Sequence, residues 1–348
     1  MKILALDLGK SKMAACIYDT LSHEHRFDSA ALERGVLSIA LEAERPDRVV
    51  IEVGPSAGWV GEQVRALGVE LQVANPNHEG WRWRNVKRKT DRLDALKLAQ
   101  LSACDQLPQV HLPERNVRQW RSLIHYRQRL VTRRTAVKNR MRSILEAEGM
   151  GVPRGVKAWT RAGLADLRSK ACPWEEAGAQ ELWRGELWEE LEQFERLTAA
   201  LKRVEARLDQ LAQSDARVPL LQSIPGVGPR LAEAVVALVD DPRRFRRGKQ
   251  VASYLGLVPR QYQSGQMDRQ GRISGQGDRR VRALLVEVSW IGQRYNPWMQ
   301  ETFARVCGGS RTRRKIAIVA VARRLVIRCW AMLRDHTTWS PPTKARAA

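Results

Sequence analysis

The sequence predicts an α/β domain at the N-terminus, a long helical middle and a mainly helical C-terminal domain. Three patterns carry that expectation. Short apolar runs alternate with helix-period segments between residues 2 and 74, which is how a sheet flanked by helices is written. Two long amphipathic stretches follow, and from Val218 the chain becomes rich in Gly and Pro between further helical segments. The expected domains are 1–112, 113–216 and 217–348, each long enough to bury a core of its own.

In order, residues 2 to 8 (KILALDL) read as a buried strand, Gly9 to Lys12 as a turn and Ala14 to Tyr18 as a second strand. A helical segment is expected from Ala30 to Ala43, a strand from Arg48 to Val53, a helix from Ala57 to Leu67 and a strand from Val69 to Ala74. Asn75 to Lys89 is polar, basic and aromatic, and reads as a loop. Asp91 then opens an amphipathic helix, DRLDALKLAQLSA. From Asn116 to Glu148 runs a long helix studded with arginines, followed by a weakly patterned connector, 151–180. In the next long helix, Glu181 to Gln213, Phe194, Leu197, Leu201, Val204, Leu208 and Leu211 alternate at spacings of three and four, the a and d positions of a coiled coil. That seam is filled either by a second chain or by packing within this one. Leu221 to Val239 reads as helix, Pro-Gly-Val-Gly-Pro hairpin, helix, and further helices are expected at Arg279 to Arg294 and Arg313 to Arg334.

The chain has 60 Lys and Arg against 38 Asp and Glu, a formal net charge of +22 spread along its length rather than gathered in a tail. Folded surfaces that basic call for a polyanion, because each phosphate contact releases condensed counterions. The apolar run before Asp7 is too short for a signal-peptide core, and Ile316 to Ala322 is too short to span a bilayer, so no membrane partner is expected. Five cysteines, odd in number and without a CxxC pair, point to a reducing compartment and hence the cytoplasm.

Four acids stand out. Asp7 ends the first strand, and Glu52 interrupts an apolar strand between Ile51 and Val53, where a charge is costly unless paired or bound to metal. Asp91 and Asp94 lie three apart on one helix face. Clustered carboxylates suit hard divalent cations, and a bridged pair of ions stabilises both the attacking and the leaving oxygen of a phosphoryl transfer. Plainer readings stand beside this one. An Asp-Leu-Gly turn after a first strand also occurs in sugar-kinase and actin-like ATPases, and Thr90 with Asp91 suits an ordinary helix start.

The segments ALDLGKSK, IEVGP and KTDRLDALKLAQL resemble those of the RuvC-like DEDD domain of transposases related to the Piv invertases, the insertion-sequence family numbered one hundred and ten. The resemblance implies a ribonuclease H-like fold in which Asp7, Glu52, Asp91 and Asp94 bind Mg2+ or Mn2+. Glu52-Val53-Gly54-Pro55 departs from the family, where a small residue and Thr-Gly more often follow the Glu. The likeness continues from Leu255 to Leu284, within VASYLGLVPRQYQSGQMDRQGRISGQGDRRVRALLVEVSW. By its residues alone this stretch is a Gly-rich loop with Ser264, Ser274, Arg260, Arg269 and Arg272, leading into a helix. Through the resemblance, Ser264 of Tyr262-Gln263-Ser264-Gly265 takes the place of the family's essential serine, a nucleophile toward phosphorus. Ser274-Gly275-Gln276-Gly277 lacks the Lys that relatives often carry there, so any cationic role falls to an Arg.

The expected activity is therefore metal-dependent DNA cleavage and rejoining by a transposase with a serine nucleophile. The resemblance further implies a structured guide RNA, a dimer or tetramer, and action at the nucleoid of a prokaryote. Expected nucleic-acid contacts are Trp81, Arg82, Trp83 and Arg84, suited to stacking and backbone binding, unless the two Trp instead anchor this loop to the sheet. Others are Arg127 and Arg134 for RNA, Gly226 and Gly228 at the hairpin for a phosphate, and Arg260 and Arg272. The competing readings are a metal-dependent nuclease or junction resolvase that uses water, and a non-catalytic nucleic-acid-binding protein.

Overall fold

The computed structural model describes residues 1–75, 90–153, 155–265 and 267–341, and divides into two compact units, Met1–Arg118 and Gln119–Ala348. The predicted loop with Trp81, Arg82, Trp83 and Arg84 lies outside the described residues.

The first unit is built on β1 (Lys2–Leu8), β2 (Lys12–Asp19) and β3 (His25–Ala31), followed by α1 (Arg34–Glu44), β4 (Arg48–Glu52), α2 (Ala57–Ala66), β5 (Glu70–Ala74) and α3 (Asp91–Ala103). The sheet order is β3-β2-β1-β4-β5, with three antiparallel strands extended by two parallel ones. This is the α/β domain that the alternating pattern predicts. Because strand side chains alternate between faces, each strand feeds two cores. Leu4, Leu6, Val49, Ile51 and Val73 pack with Leu37, Leu41, Val60 and Val64 of α1 and α2. Ile3, Ala5, Cys16, Val50 and Ala74 pack with Ala95, Leu98 and Ala99 of α3.

The helix expected over Ala30 to Ala43 is corrected here. β3 occupies the start of that range and α1 begins only at Arg34. β3 is an edge strand of mostly exposed polar residues, in which only Phe27 and Ala30 are half-buried. Charged, polar edges protect sheets from pairing with other chains, and they also erase the apolar alternation by which a strand is recognised.

α4 (Arg115–Ala147) starts at the end of the first unit and runs into the second. Within the second unit it packs antiparallel on α6 (Leu182–Gln213), with α5 (Arg161–Lys170) between them in sequence. Val137, Met141 and Leu145 of α4 meet Leu187, Leu191, Phe194 and Leu201 of α6. Arg127 pairs with Glu205 at 2.7 Å and Arg140 with Glu186, so rising numbers on one helix match falling numbers on the other. Phe194, Leu197, Leu201 and Leu208 of the heptad seam are thus buried inside this chain, which resolves the two alternatives in favour of packing within it. The connector also holds α5, whose Leu167 joins that core and was not expected.

The rest of the unit comprises α7 (Arg217–Gln222), α8 (Pro229–Val239), α9 (Gly248–Tyr254), β6 (Pro259–Ser264), β7 (Met267–Ile273), α10 (Arg279–Gly292), α11 (Pro297–Cys307) and α12 (Arg314–Asp335). Nine consecutive residues of α8, Leu231 to Val239, are buried. A helix covered on all sides is a central one. The predicted Gly-rich loop is instead the antiparallel hairpin β6-β7. Among the described residues no helix is long and apolar enough to cross a membrane.

Candidate active site and nucleic-acid surface

Asp7 and Glu52 lie one step beyond the last paired residues of two neighbouring parallel strands, Leu6 and Ile51. Parity fixes their direction: Asp7 shares a face with Ile3 and Ala5, and Glu52 with Val50, and that is the face covered by α3. A buried polar cluster sets the position of α3. Ser102 Oγ donates to Gln72 Oε1 at 2.8 Å, and Arg48 Nη1 donates to the Ser102 carbonyl at 3.1 Å, which ties the end of α3 to the beginning of β4. The helix therefore runs back along the sheet. From Ser102 to Asp94 it rises about 12 Å, and from Arg48 to Glu52 the strand advances about 13 Å. Asp94, buried at 8% exposure, stands in the first turn of that helix, toward the end of the sheet at which Asp7 and Glu52 lie. Asp91 sits one turn earlier and is exposed, and Thr90 caps the helix by accepting from the Leu93 amide. The capping role weighed for Asp91 belongs to Thr90. Both acids stand in the first turn, where the helix dipole favours negative charge.

An all-oxygen donor set of this kind suits a hard divalent ion, and the backbone brings three of the four acids to one end of the sheet. As the side chains lie, Asp7, Glu52 and Asp94 each engage another group. Among the described residues no three His, Cys, Asp or Glu side chains are close enough together to hold an ion.

Ser264 is the last residue of β6, paired with Met267 across the turn and exposed. Every residue from Arg260 to Ser264 and from Met267 to Arg272 is exposed, including Arg260, Arg269, Arg272 and 54% of Tyr262. A two-stranded ribbon that buries so little is marginal by itself, which fits an arm shaped to meet a partner. The hairpin was legible in principle, since two short runs flank Gly265, whose φ is +57°. Its strands are too polar to look apolar on either face. At the hairpin base, Arg260 donates to the Ser274 carbonyl, and the Ser274 amide donates to the Val258 carbonyl at 2.8 Å. Gly277 has φ +72°, and a Cβ there would stand 2.0 Å from the Tyr254 carbonyl oxygen, so only glycine fits.

Beside that loop, Asp278 caps α10 by accepting from the amides of Arg280 and Val281, and lies 2.5 Å from Nε2 of His125 on α4. Burial opposes ionisation of Asp278, but the His125 contact and the two amides outweigh it and hold its carboxyl at about 2.

Several arginines prove to be internal. Arg127 is held by Glu205, so its expected contact with RNA competes with an ion pair. Arg134 is half-buried on α4. Arg121 donates to the carbonyls of Ala237 and Leu238, Arg244 to those of Leu238 and Val239, and Arg217 to that of Asp240. Together they satisfy the end of α8, whose last carbonyls would otherwise be buried without partners. Gly226, at φ +94°, packs 3.2 Å from the Gly292 Cα as measured to an added Cβ, and Asn296 donates to the Pro225 carbonyl at 3.2 Å. Gly228 precedes Pro229 at the start of α8. The turn is thereby packed against the end of α10 and tied to the residue that caps α11.

Comparison with known proteins places relatives beside this chain. A DEDD transposase model matches residues 4–148, and a model described as the transposase IS116/IS110/IS902 family matches residues 218–304. A probable family 20 transposase of Pseudomonas aeruginosa is 29% identical, covering 98% of this chain and 100% of its own length. The transposase for insertion sequence element IS1111A of Coxiella burnetii is 28% identical over 82% of this chain and 76% of its own. A pilin gene-inverting protein of Moraxella lacunata is 32% identical over 34% of this chain and 38% of its own. Among solved structures, Thermus thermophilus RuvC aligns at 12% identity and a TM-score of 0.23, over 32% of this chain and all of RuvC.

Proposed function

The chain belongs to the IS110 family of transposases, enzymes that cleave and rejoin DNA, and from that premise we propose a metal-dependent recombinase in which Ser264 is the nucleophile. One observation supports this reading most directly: Asp7 and Glu52 stand at adjacent parallel strand ends, on the sheet face that α3 covers. Asp7, Glu52, Asp91 and Asp94 would hold the ion, Mg2+ or Mn2+. When bound, it supplies positive charge beside a scissile phosphate.

The protein's own residues supply the remainder. Ser264 Oγ forms a bond to phosphorus as the bond from phosphorus to the leaving deoxyribose oxygen breaks, and the serine proton ends on that oxygen. One phosphodiester replaces another, so the link is conserved for rejoining. The exposed position of Ser264 on a projecting hairpin supports such a role, and Arg260 and Arg272 on the same ribbon offer cations to the phosphate. The division 1–112, 113–216 and 217–348 assigns ion binding to the first part and the serine to the third. Guidance by a structured RNA and assembly into a dimer or tetramer complete the proposal, as does action in the prokaryotic cytoplasm at the nucleoid. The exposed basic residues of α4, such as Arg129 and Arg133, suit the RNA.

The test is direct. Purified protein is incubated with Mg2+, DNA carrying the element ends and the adjoining noncoding RNA, and denatured products are examined for DNA bound to protein. A covalent adduct is expected, absent in Ser264→Ala, with cleavage lost in Asp7→Asn and Glu52→Gln although both variants stay folded. Cleavage by Ser264→Ala without any adduct would establish water as the nucleophile.

A further inference from the structure

At the base of the β6-β7 hairpin, α12 leaves a groove of about 580 Å³, within the roughly 300–1,000 Å³ of pockets that enclose ligand-sized groups. Its floor is aliphatic. Ile316 is 61% exposed and Val319 half-buried, on the α12 face opposite the core residues Ala317, Ile318 and Val321, and Leu257 closes one end. Its rim is basic, with Arg272 from the hairpin and Arg323 and Arg324 from α12. No acid lines the groove, and among the described residues none of these three arginines is in an ion pair. Burial lowers the affinity of Arg324 for its proton, and the nearby Arg305 and Arg323 add to it.

An apolar slot edged by cations matches one ligand chemistry especially well. Duplex DNA presents phosphates but keeps its base faces stacked inside, so it would waste the floor. Unpaired nucleotides offer both, a flat base for aliphatic and guanidinium surfaces and a phosphate for the rim. We propose that the groove between β7 and α12 binds an unpaired DNA strand, holding the strand freed when the enzyme opens its substrate. This assignment rests on the recombinase reading above and adds a site to it.

The probe is a fluorescent single-stranded oligodeoxynucleotide, with the same sequence as duplex DNA and as single-stranded RNA, titrated by anisotropy against full-length protein. Arg323→Gln and Ile316→Ala alter rim and floor, and unchanged thermal unfolding shows that each variant folds. Each is expected to weaken single-stranded DNA binding at least about fivefold, while duplex affinity changes less than about twofold. Equal losses on duplex and single strand overturn the proposal, as do unchanged affinities, preferential loss of RNA binding, or a change in oligomeric mass with DNA binding intact. The covalent-adduct assay keeps the two ideas apart. Selective loss of single-strand binding without any adduct upholds the groove and sinks the serine, whereas an adduct with no selective loss does the reverse.

Discussion

Asp278 and Glu233 show how one carboxyl chemistry is steered in opposite directions by its surroundings. Asp278 is held at about 2 because two amides and His125 meet its ionised form. Its stabilising effect is present above the ordinary carboxylate range and is lost as pH falls toward 2. Glu233, at 1% exposure on α8, is pushed up to about 7 by burial, against the pull of Arg230 and Arg127. Its Oε2 has no hydrogen bond among the described residues, although Oε1 lies 3.1 Å from Arg230. The folded state therefore binds this proton more tightly than the unfolded chain, so its effect on stability is present below about pH 4.5 and fades as pH rises through 7. Between those limits the loss amounts to about 3 kcal/mol. Chemical denaturation at pH 5 and pH 8 should show this fall in the parent and its absence in Glu233→Gln, while Asp278→Ala should steepen nothing above pH 5 and remove the acid limb. An equal pH dependence in parent and Glu233→Gln would show that the carboxyl does not carry the effect.

Among the elements, α8 has the most demanding requirements. A helix buried along nine residues needs partners for its final carbonyls, and these are met by Arg121, Arg217 and Arg244, drawn from α4, the start of α7 and the turn after α8. Burial lowers the affinity of Arg121 for its proton, yet two carbonyls justify the charge. Arg121→Ala should cost about 1.5–3 kcal/mol, read as a shift in urea midpoint. Arg133→Ala, an exposed change on the same helix, should stay within about 0.5 kcal/mol. Equal effects would mean that the cap does not anchor the helix. α3 shows the complementary economy: a single Ser102 anchor sets the register of the helix that carries Asp94.

For the whole molecule, a net charge of +22 overstates the charge available to nucleic acid. Arg118 pairs with Glu62, Arg127 with Glu205, Arg168 with Glu192 and Glu195, and three more arginines close α8. What remains exposed still includes Arg129, Arg133, Arg260, Arg269, Arg272 and Arg280. If six or more such residues meet phosphates, duplex affinity should fall at least about 1,000-fold between roughly 50 and 200 mM salt. Anisotropy titrations over that range measure it. A fall of less than about tenfold would mean that most of the positive charge serves the fold.

Strands β1, β2, β4 and β5, helix α3 to the residue and the long helices α4 and α6 could be read from the chain alone, because apolar period is a local property. Asp7, Glu52, Asp91 and Asp94 stood out as well, since acids in an apolar strand or three apart on a helix need no neighbour to be noticed, whereas Ser264 stood out only through the family resemblance. Tertiary structure alone decided the rest. β3 is defined by pairing to β2 rather than by its own polar residues, and the β6-β7 ribbon by cross-strand hydrogen bonds without a buried face. Whether the α6 seam met another chain or α4 depended on what lay across from it. Which arginines cap carbonyls and which face solvent depended on where α8 ended. Pairing and burial join residues far apart in the chain, and no window along the sequence contains both partners.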